Sequence, residues 1–198
     1  MILKGLADSL FIRFIDIAIA IALLFPTIIF AAALKLLNYK YNPGPLIYSQ
    51  TRVGIGGKLF KIYKFRSMCS HANHNLFADQ QEDAIPIIGK KIRTYRIDEL
   101  PQIFNVFRGD MSIIGPRPER PKFVEEYTSL IALYPGRHRV RPGITGLAQV
   151  MGGYTSSVEG TRQKIRYDLY FVRKKNVCLY IYIYYKTIGT IIFKRGAI

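Results

Sequence analysis

The chain of 198 residues is poor in cysteine and short of carboxylates. Its two cysteines, Cys69 and Cys178, lie far apart, with neither a CxxC pair nor metal-ligand spacing. That argues against a disulfide framework and suits a reducing compartment. Only 13 Asp and Glu face 29 Lys and Arg, which leaves a formal charge of +16 and a pI near 9.9. Repeats and low-complexity segments are absent, and the length fits one domain, or one domain with a small appendage, able to bury a sizeable core. Nevertheless 49% of the residues are hydrophobic and the mean hydropathy is slightly positive. A nucleic-acid binder of this charge is normally more polar, so basic and apolar together point to a membrane surface or to anionic lipid-linked substrates.

The N-terminus carries the strongest compositional signal. Between Asp16 and Lys35 the run IAIAIALLFPTIIFAAAL holds 18 uncharged residues. At about 1.5 Å per residue a straight helix of that length reaches roughly 27 Å, just enough for a bilayer core. No small-residue cleavage site follows it, so a secretory leader is disfavoured. Pro26 divides the run into halves too short to cross alone. Lys4 and Arg13 precede it, Lys35 and Lys40 follow it, and residues 41–198 hold 25 Lys and Arg against 11 Asp and Glu, a net +14. Basic flanks on both sides favour keeping both ends on the cytoplasmic side. The residues alone leave a kinked span and a re-entrant helix-break-helix both open.

Beyond residue 41 the runs either side of Gly54-Ile55-Gly56-Gly57 predict a β-hairpin within 42–68. These glycines lack the spacing of a phosphate loop and read as a turn. Residues 98–109 predict a short helix with Asp98 as N-cap, an apolar stripe of Leu100, Ile103, Phe104 and Phe107, and Gly109 as its stop. GPRPERPKFVEEY is a proline-braced turn that fixes Arg117, with Pro121 opening another helix. RHRVRPGITGLAQV reads as a solvated basic loop. A capping box from Ser156 to Glu159 opens an amphipathic helix containing Asp168. The C-terminal VCLYIYIYYKTIGTIIF suits either a strand or a helix lying in the membrane interface. His71 and His74 lack further ligands, so no metal site is expected there.

The adjacent carboxylates Asp98 and Glu99, in YRIDELPQIF, are the chemical puzzle of this sequence. Exposed ion pairs contribute only about 0 to 1 kcal/mol, so stability is a poor reason to place them among arginines. A helix cap explains Asp98 alone, while handling an anion that the arginines also hold explains the group.

In order along the chain, FIRFIDIAIA, GPLIYSQTRVGIGGKLFKIYKFRSM, YRIDELPQIFNVFRGDMSIIGPRPE, RPGITGLAQV and IRYDLYFV resemble the bacterial sugar transferases, the monotopic phosphoglycosyl transferases acting on undecaprenyl phosphate. The resemblance implies an α+β, helix-rich monotopic membrane protein. Residues 1–40 form the re-entrant membrane helix, and residues 41–198 the cytoplasmic catalytic domain with an interfacial C-terminal helix. The chain reads as the small form of the family, beginning directly at the re-entrant segment. It departs from the family pattern just before Pro26, where many relatives carry a small polar residue and this chain has Phe25.

The resemblance further implies transfer of a sugar 1-phosphate from a UDP-sugar to undecaprenyl phosphate, with release of UMP. Asp98 is the expected nucleophile and Glu99 shares in Mg²⁺ binding or proton handling, so both are the expected metal ligands. Lys64, Arg66, Arg93, Arg117 and Arg141 are the expected phosphate-binding residues. Asp168 is a weaker candidate, equally a structural partner of RPGITG, and Pro26 marks the helix break. The expected setting is the cytoplasmic face of a bacterial inner membrane, with phospholipids as partners, no nucleic acid, and a homo-oligomer left open. Two rival readings are a membrane-tethered basic module that binds lipid headgroups or nucleic acid, and a glycosyltransferase that releases UDP.

Overall fold

The computed structural model describes residues 2–69, 72, 81–152 and 158–193. His71, His74 and Ser156 lie outside the described residues. Helix α1 (Ile2–Tyr41) leads into the antiparallel hairpin β1 (Ile47–Val53) and β2 (Leu59–Phe65). After α2 (Ile87–Thr94), a 3-10 turn (Ile97–Gln102) runs directly into α3 (Ile103–Arg108). Next come β3 (Ser112–Ile114), α4 (Pro121–Leu130), a 3-10 turn (Tyr134–Arg139), β4 (Gly143–Thr145) and α5 (Leu147–Gly152). Helices α6 (Val158–Lys174) and α7 (Val177–Ile192) complete the described chain. It is a helix-rich fold with two small two-stranded sheets, one antiparallel and one parallel.

Helix α1 turns Asp16, Thr27 and Asn38 inward. From Asp8 onward its buried positions are Ile12, Asp16, Ala20, Thr27, Leu34 and Asn38, spaced by three- to four-residue steps or their sum. Its outward face is apolar, with Leu10, Phe14, Phe25 and Leu36 all more than 60% exposed. An apolar face of this extent is unfavourable in water and matches a hydrocarbon medium. By length and composition α1 is sufficient to cross a membrane. The chain is helical through Pro26, whose ring removes the hydrogen bond to Ala22. One residue on, buried Thr27 donates its hydroxyl to the Leu23 carbonyl at 2.7 Å.

The inward stripe of α1 joins the main core. Ile12 and Ala20 cluster with Ile62 of β2, Ile103 and Val106 of α3, Ile113 and Ile114 of β3, and Tyr180 and Ile183 of α7. Further along α1, Leu34 packs with Phe65 and Ile92. The helix is thus built into the domain along much of its length.

The hairpin follows the predicted pattern, with Val53 opposite Leu59 and Gly56 and Gly57 at φ of 62° and 79° in the turn. Pro121 does open α4, and Gly109 ends α3 at φ 84°. Asp98, however, is not a helix N-cap. It lies inside the 3-10 turn, and Arg96, at φ 55°, occupies the cap position. Because that turn has three residues per revolution, the register entering α3 differs from a plain α-helix. Ile103 and Val106 are therefore buried, whereas Phe104, expected on the apolar stripe, is 46% exposed. The C-terminal segment is a helix, and Asn176 caps it by accepting from Leu179 N–H at 2.8 Å.

Candidate active site

Two backbone features aim the carboxylate pair. Arg96 in the left-handed region ends α2 and redirects the chain, and its carbonyl accepts the Glu99 N–H at 3.1 Å. Fully buried Asn105 then docks the following α3 against β2: its Nδ2 donates to the Lys61 carbonyl at 2.7 Å, and its Oδ1 accepts from Tyr63 N–H at 3.3 Å. Lys64 is thereby brought over the pair.

Both carboxylates are buried, at 6% exposure for Asp98 and 5% for Glu99. Lys64 Nζ and Arg117 Nη2 each stand 2.7 Å from the same oxygen, Glu99 Oε1. Asp98 Oδ2 lies further from Lys64 Nζ, at 3.7 Å. This asymmetry divides the pair electrostatically. Burial by itself raises the Glu99 carboxyl, but Arg117 and Lys64 overcome that and hold it well below the usual carboxylate range. Burial pushes Asp98 above its usual value; Lys64 opposes the rise and the Glu99 charge adds to it. Glu99 is thus the closely paired carboxylate of the two, and Asp98 the one with the longer contact. Arg93 also acts electrostatically on Asp98, and its Nε is buried without a hydrogen-bond partner among the described residues, as is Gln102 Nε2.

The loop carrying Arg117 is fixed from several sides. β3 and β4 pair in parallel, and Gly115 N–H donates to the Thr145 carbonyl at 2.8 Å. The strands approach so closely that a Cβ at Gly115 would fall onto the Arg141 carbonyl, and one at Gly143 onto the Gly115 nitrogen. Arg137 Nη2 donates to the Arg117 carbonyl at 2.8 Å and pairs with Asp168 Oδ2, also at 2.8 Å. Arg137 Nη1 donates to the Tyr134 hydroxyl at 3.0 Å. Two residues beyond Arg117, Glu119 pairs with Lys164 and with Arg52. Lys164, Arg137 and Arg52 together outweigh its burial and lower its carboxyl to about 2.

Of the sequence-derived candidates, the structure brings together Asp98, Glu99, Lys64 and Arg117, with Arg93 close enough to influence Asp98. Arg66 and Arg141 are engaged elsewhere. Arg66 donates to the Pro45 carbonyl at 2.8 Å and to Asn42, both in the segment between α1 and β1. Arg141 Nε donates to the Gly109 carbonyl at 2.9 Å. Asp168 pairs with Arg137 rather than with the RPGITG segment. The expectation of a solvated basic loop fails for the same reason: Arg137 is only 2% exposed.

Sequence reasoning missed Arg137, Tyr134, Asn105 and Arg96. The cluster RHR gives no sign of which base is buried, although the nearby aromatic Tyr134 is a usable hint.

Two buried carboxylates are met by Lys64 and Arg117, whose side chains remain 17% and 20% exposed, so the cationic side of the cluster reaches the surface. The bacterial sugar transferase profile matches residues 7–194, and the chain belongs to that family. It is 46% identical over 181 residues to the UDP-N-acetylgalactosamine-undecaprenyl-phosphate N-acetylgalactosaminephosphotransferase of Aeromonas hydrophila, covering 90% of this chain and 42% of that protein. It is 39% identical over 192 residues to the UDP-glucose:undecaprenyl-phosphate glucose-1-phosphate transferase of Klebsiella pneumoniae, covering 95% of this chain and 40% of the relative. A Caulobacter vibrioides protein of the same name is 42% identical over 161 residues, with 79% and 59% covered. The chain thus spans less than two thirds of the length of these curated relatives.

Proposed function

We propose that the chain transfers a sugar 1-phosphate from a UDP-sugar to undecaprenyl phosphate and releases UMP, an early membrane step of glycoconjugate assembly. The observation that carries the proposal is the division of the dyad, with Glu99 clamped by Lys64 and Arg117 while Asp98 keeps the weaker contact. A nucleophile must remain able to move and react, and its neighbours must stay fixed.

Asp98 attacks the phosphorus that bears the sugar. An Asp98 oxygen–phosphorus bond forms, the bond from that phosphorus to the bridging oxygen breaks, and UMP departs with the electron pair. An oxygen of the lipid phosphate then attacks the same phosphorus, and the Asp98 carboxylate leaves, producing a polyprenyl-diphosphate sugar. Arg117 and Lys64 are already in place, so they supply electrostatic stabilisation as negative charge moves between oxygens. Arg93, whose buried Nε lacks a partner among the described residues, is a further hydrogen-bond donor to phosphate.

Among the described residues no group of three or more His, Cys, Asp or Glu gathers to hold a metal. The two carboxylates nevertheless fit Mg²⁺, which commonly takes one or two protein carboxylates and draws its other ligands from substrate phosphates and water. Asp98 and Glu99 would hold it, and it would neutralise the charge between carboxylate and diphosphate.

The inside-out surface of α1 supports a membrane location, and the basic charge supports the anionic cytoplasmic leaflet. Pro26, the Thr27 hydroxyl bonded back to Leu23, and basic residues on both flanks support a re-entrant course. Such a course places the dyad at headgroup level, where soluble nucleotide sugar and embedded lipid phosphate can both reach it. The test is product analysis with undecaprenyl phosphate and a panel including UDP-N-acetylgalactosamine and UDP-glucose. UMP is expected; UDP, or no nucleotide release from any donor, overturns the reading.

A further inference from the structure

Arg13 and Asp16 lie one turn apart on α1 and have no part in binding phosphate, yet both spend their polar atoms on one short stretch of the domain. Arg13 Nη2 donates to the Val106 carbonyl at 2.6 Å and Nη1 to the Met111 carbonyl at 3.4 Å. These carbonyls lie at the end of α3 and just beyond it, where a cation is favoured. Asp16 is 2% exposed. Its Oδ1 accepts the Ile113 N–H at 2.9 Å, and the carboxyl also accepts the hydroxyls of Ser112, at 2.9 Å to Oδ2, and of Tyr180.

Residues 106–113 are the middle of the covalent path from Glu99 to Arg117. One end of that path carries the dyad, and the other carries the arginine that must meet Glu99 at 2.7 Å. Arg13 and Asp16 grip the path on either side of the reversal at Gly109. A shift of α1 relative to the domain therefore moves the two halves of the Glu99–Arg117 contact together with it or apart. Tyr180 brings α7 into the same node, so the two apolar helices and the loop leading to Arg117 share one buried carboxyl.

We propose that Arg13 and Asp16 are positioning residues, which pass the seating of the membrane helix to the Glu99–Arg117 contact and make catalytic geometry depend on it. The inference rests on the phosphotransfer reading of the site but is tested separately from it. Misplacement by about 1 Å can cost roughly 100-fold in rate. Accordingly Asp16→Asn, which keeps one acceptor oxygen, is expected to lower kcat about 10- to 100-fold with KM for UDP-sugar within about twofold.

The full chain is assayed in vesicles of phosphatidylethanolamine and phosphatidylglycerol containing undecaprenyl phosphate. Asp16→Asn, Arg117→Lys and the double variant form a cycle. Action through Arg117 predicts that Asp16→Asn has little further effect in the Arg117→Lys background. Effects that multiply overturn the proposal. Tyr180→Phe, which removes one donor from the same carboxyl, gives a milder second entry to the cycle should Asp16→Asn fold poorly. Hydrogen exchange provides a readout independent of activity. Faster exchange over residues 112–119, with α4 and the β1–β2 hairpin unchanged, is expected for Asp16→Asn and for Tyr180→Phe. Unchanged exchange in that loop, or a uniform rise throughout the domain, overturns the proposal even if the wild-type protein releases no UMP.

Discussion

Arg137 Nη2 holds the main-chain carbonyl of Arg117 at 2.8 Å, so the arginine that grips Glu99 is itself fixed from behind by a second, buried arginine. The buried arginine draws its own orientation from Asp168 and the Tyr134 hydroxyl. A lysine cannot serve three partners in one plane, because it offers a point charge where arginine offers a fork. Arg137→Lys is therefore expected to lower kcat by about tenfold or more, with KM little changed. Asp168→Asn leaves a buried guanidinium uncompensated and is expected to cost about 3 to 5 kcal/mol of stability. Thermal unfolding and steady-state kinetics on the same preparations check both, and an Arg137→Lys enzyme of wild-type kcat contradicts the assignment.

The divided dyad has a pH signature. Attack requires the Asp98 carboxylate, whose pKa is raised by burial and by Glu99 against the pull of Lys64, so the acid limb of kcat/KM lies above the ordinary aspartate range. Activity rises as pH climbs through that value. Lys64→Met removes the attraction and moves the limb to higher pH, whereas Glu99→Gln removes a negative neighbour and moves it lower. A limb that stays put in both variants assigns it to another group.

Stability shifts in opposite directions at the two carboxylates. The folded pKa of Asp98 is raised, so its stabilising contribution is full below the unfolded pKa and lost as pH rises through the folded one. Asp98→Asn consequently stabilises the protein at neutral pH while abolishing turnover. Glu99 is depressed, so its contribution is present above the unfolded pKa and lost as pH falls through the folded value. Glu99→Gln destabilises at neutral pH by about 2 kcal/mol, since it weakens two charge-assisted bonds. Melting curves of the two variants at neutral pH should move to opposite sides of wild type.

Much of this organisation is legible in the amino-acid order, and the limits have physical causes. Hairpin glycines, Pro121 and Gly109 announce their positions because each needs a backbone geometry that few other residues adopt. Asp98, Glu99 and Arg117 stand out as charges within apolar or proline-braced runs. Arg137, Arg66 and Arg141 do not separate in sequence, because burial of a guanidinium depends on partners such as Asp168 and Asn42, 31 and 24 residues away. The N-cap reading of Asp98 failed because Arg96 adopts a left-handed conformation, which no local pattern in YRIDEL signals.

Topology is testable at Ser9, which is exposed. In a background lacking Cys69 and Cys178, a Ser9→Cys protein is expected to resist a membrane-impermeant thiol reagent in intact spheroplasts and to react after lysis. Replacing Pro26 with Leu restores the missing helix hydrogen bond and should convert part of the population to a true span, labelled from outside. Ready labelling of intact spheroplasts with Pro26 in place contradicts the re-entrant course.

Metal dependence separates specific bridging of oxygens from general charge neutralisation. EDTA is expected to stop UMP release, and Mg²⁺ to restore it where spermidine does not. Full activity in EDTA removes the metal from the proposal.

The most direct test of covalent transfer is the intact mass of the protein after incubation with its UDP-sugar and Mg²⁺ in the absence of lipid phosphate. The wild-type chain is expected to gain the mass of one sugar phosphate, located on Asp98 by peptide mapping and discharged when undecaprenyl phosphate is added. Asp98→Asn should gain nothing. A wild-type enzyme that turns over yet never carries the adduct, or an Asp98→Asn variant that retains full activity, contradicts the account.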